Sequence, residues 1–86
     1  MGKARRCRHE IAADVLEYLA SAGYARISWI ATHANMPVDR ALQLLEEMRR
    51  RGLVESIEGE KGVYYRVGAR GYEYLELWRR LRVLLG

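Results

Sequence analysis

The chain has 86 residues, half of them hydrophobic and 30% charged. That is enough for one compact domain and too little for two, and the modest core it can build leaves no room for a large catalytic cavity. Fifteen Lys and Arg against eleven Asp and Glu give a formal charge of +4, and Lys3, Arg5, Arg6 and Arg8 carry all of the excess, so residues 9–86 are balanced. A basic arm on a neutral body points to a polyanionic partner. Thirteen of the fifteen cations are Arg, the side chain that grips phosphate with two parallel hydrogen bonds.

Cys7 is the one cysteine, so no internal disulfide forms, and no Cys/His set has metal-ligand spacing. No apolar run reaches membrane-span length and no secretory h-region opens the chain, which leads to the expectation of a cytoplasmic protein. Gly-rich phosphate loops, metal constellations and nucleophile–base pairs are missing from the sequence. No enzyme activity, cofactor, metal or small-molecule ligand is expected.

Beyond the arm, Ile11, Ala12, Val15, Leu16 and Leu19 recur at helical spacing, with Glu10, Asp14 and Glu17 opposite. This first helix ends near Gly23, a C-terminal cap. Tyr24 to Ile27 reads as a brief strand. Ser28 is expected to cap a short second helix through His33. Tyr24 and Trp29 resemble stacking platforms by type, but their apolar neighbours assign them to the core. His9 and His33 lack partners at ligand or catalytic spacing and read as surface or capping residues.

Ala34-Asn35-Met36 then turns the chain, and Pro37 opens a third helix over 38–51 whose Ala41, Leu44, Leu45 and Met48 form an i, i+3, i+4, i+7 stripe. Gly52 closes it. Leu53 to Ile57 and Val63 to Val67 read as a hairpin around the turn 58–62. Gly68 to Gly71 punctuates the chain before a last helix, Tyr72 to Leu85. Tyr74, Leu77, Trp78, Leu81, Leu84 and Leu85 make one apolar seam of that helix, with Tyr72 and Leu75 on a separate side. A small monomer covers only one such stripe, so a homodimer through the last helix is expected.

The run from Ser28 to Pro37, followed by Leu45 and by Arg51-Gly52-Leu53-Val54-Glu55, resembles the helix-turn-helix core of small archaeal winged-helix DNA-binding proteins. Tyr65 to Leu75 is similar to the end of the wing and start of the final helix in that group. The resemblance implies an α+β, mainly α, winged helix-turn-helix: a three-helix core, a short strand, a two-stranded wing and an added C-terminal helix. The expected division is a basic arm over 1–8, the winged domain over 9–68 and a dimerisation helix over 69–86. Gly68 stands where the group usually has a capping Thr, and Trp29 where it often has a basic residue.

What the resemblance implies is double-stranded DNA binding in transcription regulation or chromatin, with the third helix in the major groove. Its outward face carries Asp39, Gln43, Glu46, Glu47 and Arg50, flanked by Arg40 and Arg49. Expected DNA contacts are Arg5, Arg6 and Arg8 of the arm, Val38, Arg40, Gln43, Arg49 and Arg50 of the third helix, and Lys61 and Arg66 of the wing. Glu46 and Glu47 are placed to pair with Arg50 and Arg51 at i, i+4. Two other readings stay open: a winged helix that docks on proteins, kept alive by the neutral body, and RNA binding through the arm alone.

Overall fold

The computed structural model describes residues 7–85. Helix α1 (Arg8–Ala22) starts where the backbone N–H of Cys7 donates to Glu10 Oε1 at 3.2 Å, and it ends as expected at Gly23, whose N–H reaches the Leu19 carbonyl. Its Ala12, Val15, Leu16 and Leu19 are buried and form the centre of the core. Strand β1 is only Ala25–Arg26.

Helix α2 (Ile27–Ala34) is capped by Arg26, not by Ser28. Arg26 is the last residue that β1 pairs with the wing, so the extended residue that ends the strand is also the one that begins the helix. Ser28 sits inside the first turn and its carbonyl accepts the Thr32 hydroxyl at 2.9 Å. The turn to the next helix runs through Asn35 in the left-handed conformation (φ 58°, ψ 51°), a residue type that tolerates it. The N–H of Met36 closes back on the Ala31 carbonyl at 3.0 Å.

Helix α3 (Val38–Arg50) follows an N-cap at Pro37 and buries Ala41, Leu45 and Met48. Strands β2 (Val54–Gly59) and β3 (Gly62–Val67) form a hairpin with Glu60 and Lys61 at its tip, longer than the expected pair because both glycines join the ladder. The antiparallel sheet has the order β1-β3-β2. Paired residues share a face, so buried Ala25 puts Tyr65 on the core side, while Arg26, Tyr64 and Ile57 share the outer side.

Helix α4 (Ala69–Leu85) starts three residues earlier than Tyr72, and Gly71 lies within it. Gly68 and Gly71 do not punctuate the chain; they let it pass close to itself. A Cβ on Gly68 would stand 2.6 Å from the Gly52 carbonyl oxygen, and one on Gly71 would meet the Leu53 carbonyl oxygen. The Gly68 N–H donates to that Leu53 oxygen at 2.8 Å. The glycine found in place of a capping Thr is therefore required by packing, since a side chain there would strike backbone. Leu75 is the fully buried side chain of α4, one turn beyond Gly71.

Candidate nucleic-acid interface

Helices α2 and α3 meet across a short turn, and burial of Ala41, Leu45 and Met48 turns the opposite side of α3 to solvent. That side presents Val38, Asp39, Arg40, Leu42, Gln43, Glu46, Arg49 and Arg50. Leu42, 44% exposed beside Val38 at 45%, is an apolar spot that charge-led reading of the face passes over. Its i, i+4 spacing from Val38 was the available signal.

The two glutamates of α3 are neutralised locally, whereas Asp39 accepts only the Arg40 backbone N–H at 2.9 Å and forms no ion pair among the described residues. Glu46 pairs with Arg49 at 2.5 Å, at i, i+3, instead of with Arg50 as expected. The second expected pair forms, Glu47 to Arg51 at 3.1 Å, and Arg8 joins it at 2.6 Å. The hydrogen bond from Arg49 holds the Glu46 carboxyl below its ordinary value, and bonds from Arg8 and then Arg51 do the same for Glu47. Arg40, Arg50 and Lys61 form no ion pair among the described residues, so the geometry leaves them available to an external anion.

Placement of the remaining expected contacts is uneven. Arg8 opens α1 and is tied to α3. Arg5 and Arg6 lie outside the described residues. Lys61 is at the exposed tip of the hairpin, and Arg66 bonds Glu55 across the strands at 2.9 Å. Tyr24 and Trp29 are not core residues: they are 57% and 47% exposed. Tyr24 flanks the two-residue β1 next to inward-turned Ala25, and Trp29 lies on the side of α2 away from its buried Ile30, Ala31 and Ala34.

Along α4, Leu77, Leu81, Leu84 and Leu85 are exposed, from 48% at Leu81 to 82% at Leu84. Tyr74 and Trp78 are half-buried instead, and Tyr74 packs on its own core while its hydroxyl donates to the His9 carbonyl at 3.0 Å. Of the histidines, His33 stacks on Tyr18 with ring centroids 4.4 Å apart and lies 3.7 Å from Asp14 Oδ1. Among the described residues no group of three His, Cys, Asp or Glu side chains could hold a metal, and no helix is long and apolar enough to cross a membrane.

The family profile described as winged helix-turn-helix matches residues 5–85. The chain belongs to the winged helix-turn-helix family. None of the curated proteins matches the sequence. Solved structures share the fold: a mutant of MepR from Staphylococcus aureus superposes with a TM-score of 0.80 at 14% identity, covering 87% of this chain and 58% of its own. A mutant MarR from Escherichia coli, complexed with operator DNA, gives 0.75 at 16% identity, with coverage of 81% and 52%. A homodimeric winged helix-turn-helix DNA-binding domain from Mycobacterium bovis, described as a possible ArsR-family transcriptional regulator, gives 0.69 at 25% identity, with coverage of 87% and 67%. This winged helix-turn-helix chain thus spans little more than half the length of the MepR and MarR chains.

The Arg8–Glu47–Arg51 cluster joins α1 to the end of α3 and has a testable pH signature. A carboxyl whose value is lowered by folding contributes stability above its unfolded value, near 4.5, and loses it as pH falls through the folded value. Glu47→Gln is expected to melt below wild type at neutral pH, with the gap closing as the solution is acidified through that range. A melting-temperature series checks this, and a gap independent of pH would refute the role of the pair.

Proposed function

We propose that the chain binds double-stranded DNA as a transcription regulator or chromatin-associated protein, with α3 in the major groove. The observation that carries this reading is the solvent face of α3, which offers Gln43 and the unpaired Arg40 and Arg50 after its two glutamates have been neutralised by other arginines. Gln suits the adenine edge, and Arg suits guanine or phosphate. Val38 and Leu42 add apolar surface suited to thymine methyl groups. Lys61 at the wing tip and the basic arm would hold flanking phosphates. Arg49 and Arg66, engaged by Glu46 and Glu55, contribute after exchanging those partners.

Two copies are held together in this reading by the leucine row of α4, which no part of the same chain covers among the described residues. The bound operator DNA of the MarR structure and the homodimeric state of the Mycobacterium bovis domain support both parts by likeness of fold.

Gel-shift titrations over a salt series test the DNA role. Duplex binding is expected to weaken linearly with the logarithm of salt, and Arg50→Ala to lower that slope by about one while weakening binding several-fold. Failure to bind any duplex at low salt would retire the proposal.

A further inference from the structure

The outer side of the sheet carries a second surface, of which the α3 reading uses only Arg66 at its edge. Tyr24, Arg26, Trp29 and Tyr64 converge there from the approach to β1, β1 itself, α2 and β3. The Arg26 guanidinium lies 5.9 Å from the ring centroids of both Trp29 and Tyr64, and Tyr24 meets Tyr64 edge-on at 5.4 Å. Gly59 leaves space for the Tyr64 ring, because a Cβ at that position would stand 2.9 Å from its Cε1. The cluster is thus built and held in place, yet Trp29 and Tyr24 remain about half exposed. Arg26 has no carboxylate partner among the described residues.

We infer that this face is a stacking platform for single-stranded nucleic acid. Exposed rings beside an unneutralised guanidinium give the two elements such binding needs, flat surfaces for unstacked bases and a cation for the backbone. The charge argues against an apolar protein partner, because burying Arg26 under one would strand a cation without a counter-ion. Duplex DNA keeps its base faces stacked inside the helix and offers them nothing to pair with. Arg66, two residues along β3 from Tyr64, continues the same face toward the end of the strand that precedes α4, but it is held there by Glu55, so Arg26 is the cation on which the platform rests.

The test uses the full chain and a fluorescently labelled oligothymidylate of about a dozen nucleotides, within the span that one single-strand-binding domain covers. Anisotropy is expected to report salt-sensitive binding, with intrinsic tryptophan fluorescence quenched as the oligonucleotide is added. Trp29→Ala should abolish most of the quench, leaving only the Trp78 signal, and weaken oligonucleotide binding about tenfold or more; Tyr24→Ala should weaken it less. Both residues are exposed, so far-UV circular dichroism and melting temperature are expected to match wild type. Duplex affinity, read in parallel, should stay within twofold in Trp29→Ala and fall in Arg50→Ala, which should spare the oligonucleotide. The proposal is overturned if the oligothymidylate does not bind at low salt. It is equally overturned if Trp29→Ala weakens duplex and oligonucleotide by the same factor, which would make the rings part of the duplex footprint. If Trp29→Ala leaves both nucleic acids bound as in wild type, the rings serve a protein partner and the proposal fails. A chain that binds the oligonucleotide but no duplex would sink the α3 reading and leave this one standing.

Discussion

Gly71→Ala is expected to cost the domain on the order of 3 kcal/mol or more, and so to lower its melting temperature by roughly 15 °C. Alanine is ordinarily the better helix former by about 1 kcal/mol, so helix propensity alone predicts the opposite sign. Packing decides against it. The added Cβ would collide with the Leu53 carbonyl oxygen and stand 2.7 Å from Val67 Cγ1 and 3.1 Å from Leu16 Cδ2. The carbonyl cannot swing aside, because it accepts the Gly68 N–H at 2.8 Å, and Leu16 is fully buried. Relief therefore requires α4 to lift from the core, which would uncover Leu75. Thermal denaturation of Gly71→Ala beside Tyr72→Ala checks the argument: Tyr72 is 60% exposed, and its loss should change stability by no more than about 0.5 kcal/mol. Equal melting temperatures for Gly71→Ala and wild type would show that the crossing of α4 over the β2 entry is looser than described.

The second large effect concerns assembly. Leu81→Glu places a charge in the middle of the exposed leucine row without touching the buried side of α4, where Gly71 and Leu75 lie. Wild type is expected to run at twice the chain mass in light scattering, and the variant at the chain mass, with an unchanged circular dichroism spectrum. Duplex affinity should then fall by about a hundredfold or more, since two linked recognition helices gain that much over one. A monomeric wild type, or a Leu81→Glu chain that remains dimeric, would refute the pairing through α4. Loss of the dimer without loss of affinity would show that one domain makes the whole contact.

Much of this fold is legible in the residues because periodicity and local chemistry agree along most of the chain. Helix α1 with its Gly23 cap, the Asn35 turn, Pro37 and the α3 stripe all carry signals that act within a few residues of each other. The differences arise where a distant segment decides. Ser28 is a good cap by type, but pairing of Arg26 with Tyr64 in β3 ends the strand at Arg26 and makes that residue the cap, two positions before Ser28. Gly71 looks like a breaker, and only the neighbouring carbonyl of Leu53 explains a glycine inside a helix. Tyr24 and Trp29 look like core by composition, but β1 is too short to bury more than Ala25, and α2 turns Ile30, Ala31 and Ala34 inward and Trp29 outward. On the candidate site, i, i+4 spacing assigned Glu46 to Arg50, but Glu46 pairs with Arg49 at i, i+3, which leaves Arg50 without an ion pair among the described residues.

The crossing of Gly52 and Leu53 beneath Gly68 and Gly71 has a mechanical consequence. With the Arg70 N–H on the Gly52 carbonyl at 3.2 Å and the Gly68 N–H on the Leu53 carbonyl, the exit of α3 and the root of α4 are clamped backbone to backbone, leaving no side-chain layer to slip. In a pair joined through α4, each reading head is thus fixed to the common stem, and the distance between heads is a constant of the assembly instead of something the DNA can adjust. Operators whose half-sites depart from that one separation should be discriminated by phasing alone, whatever their base sequence.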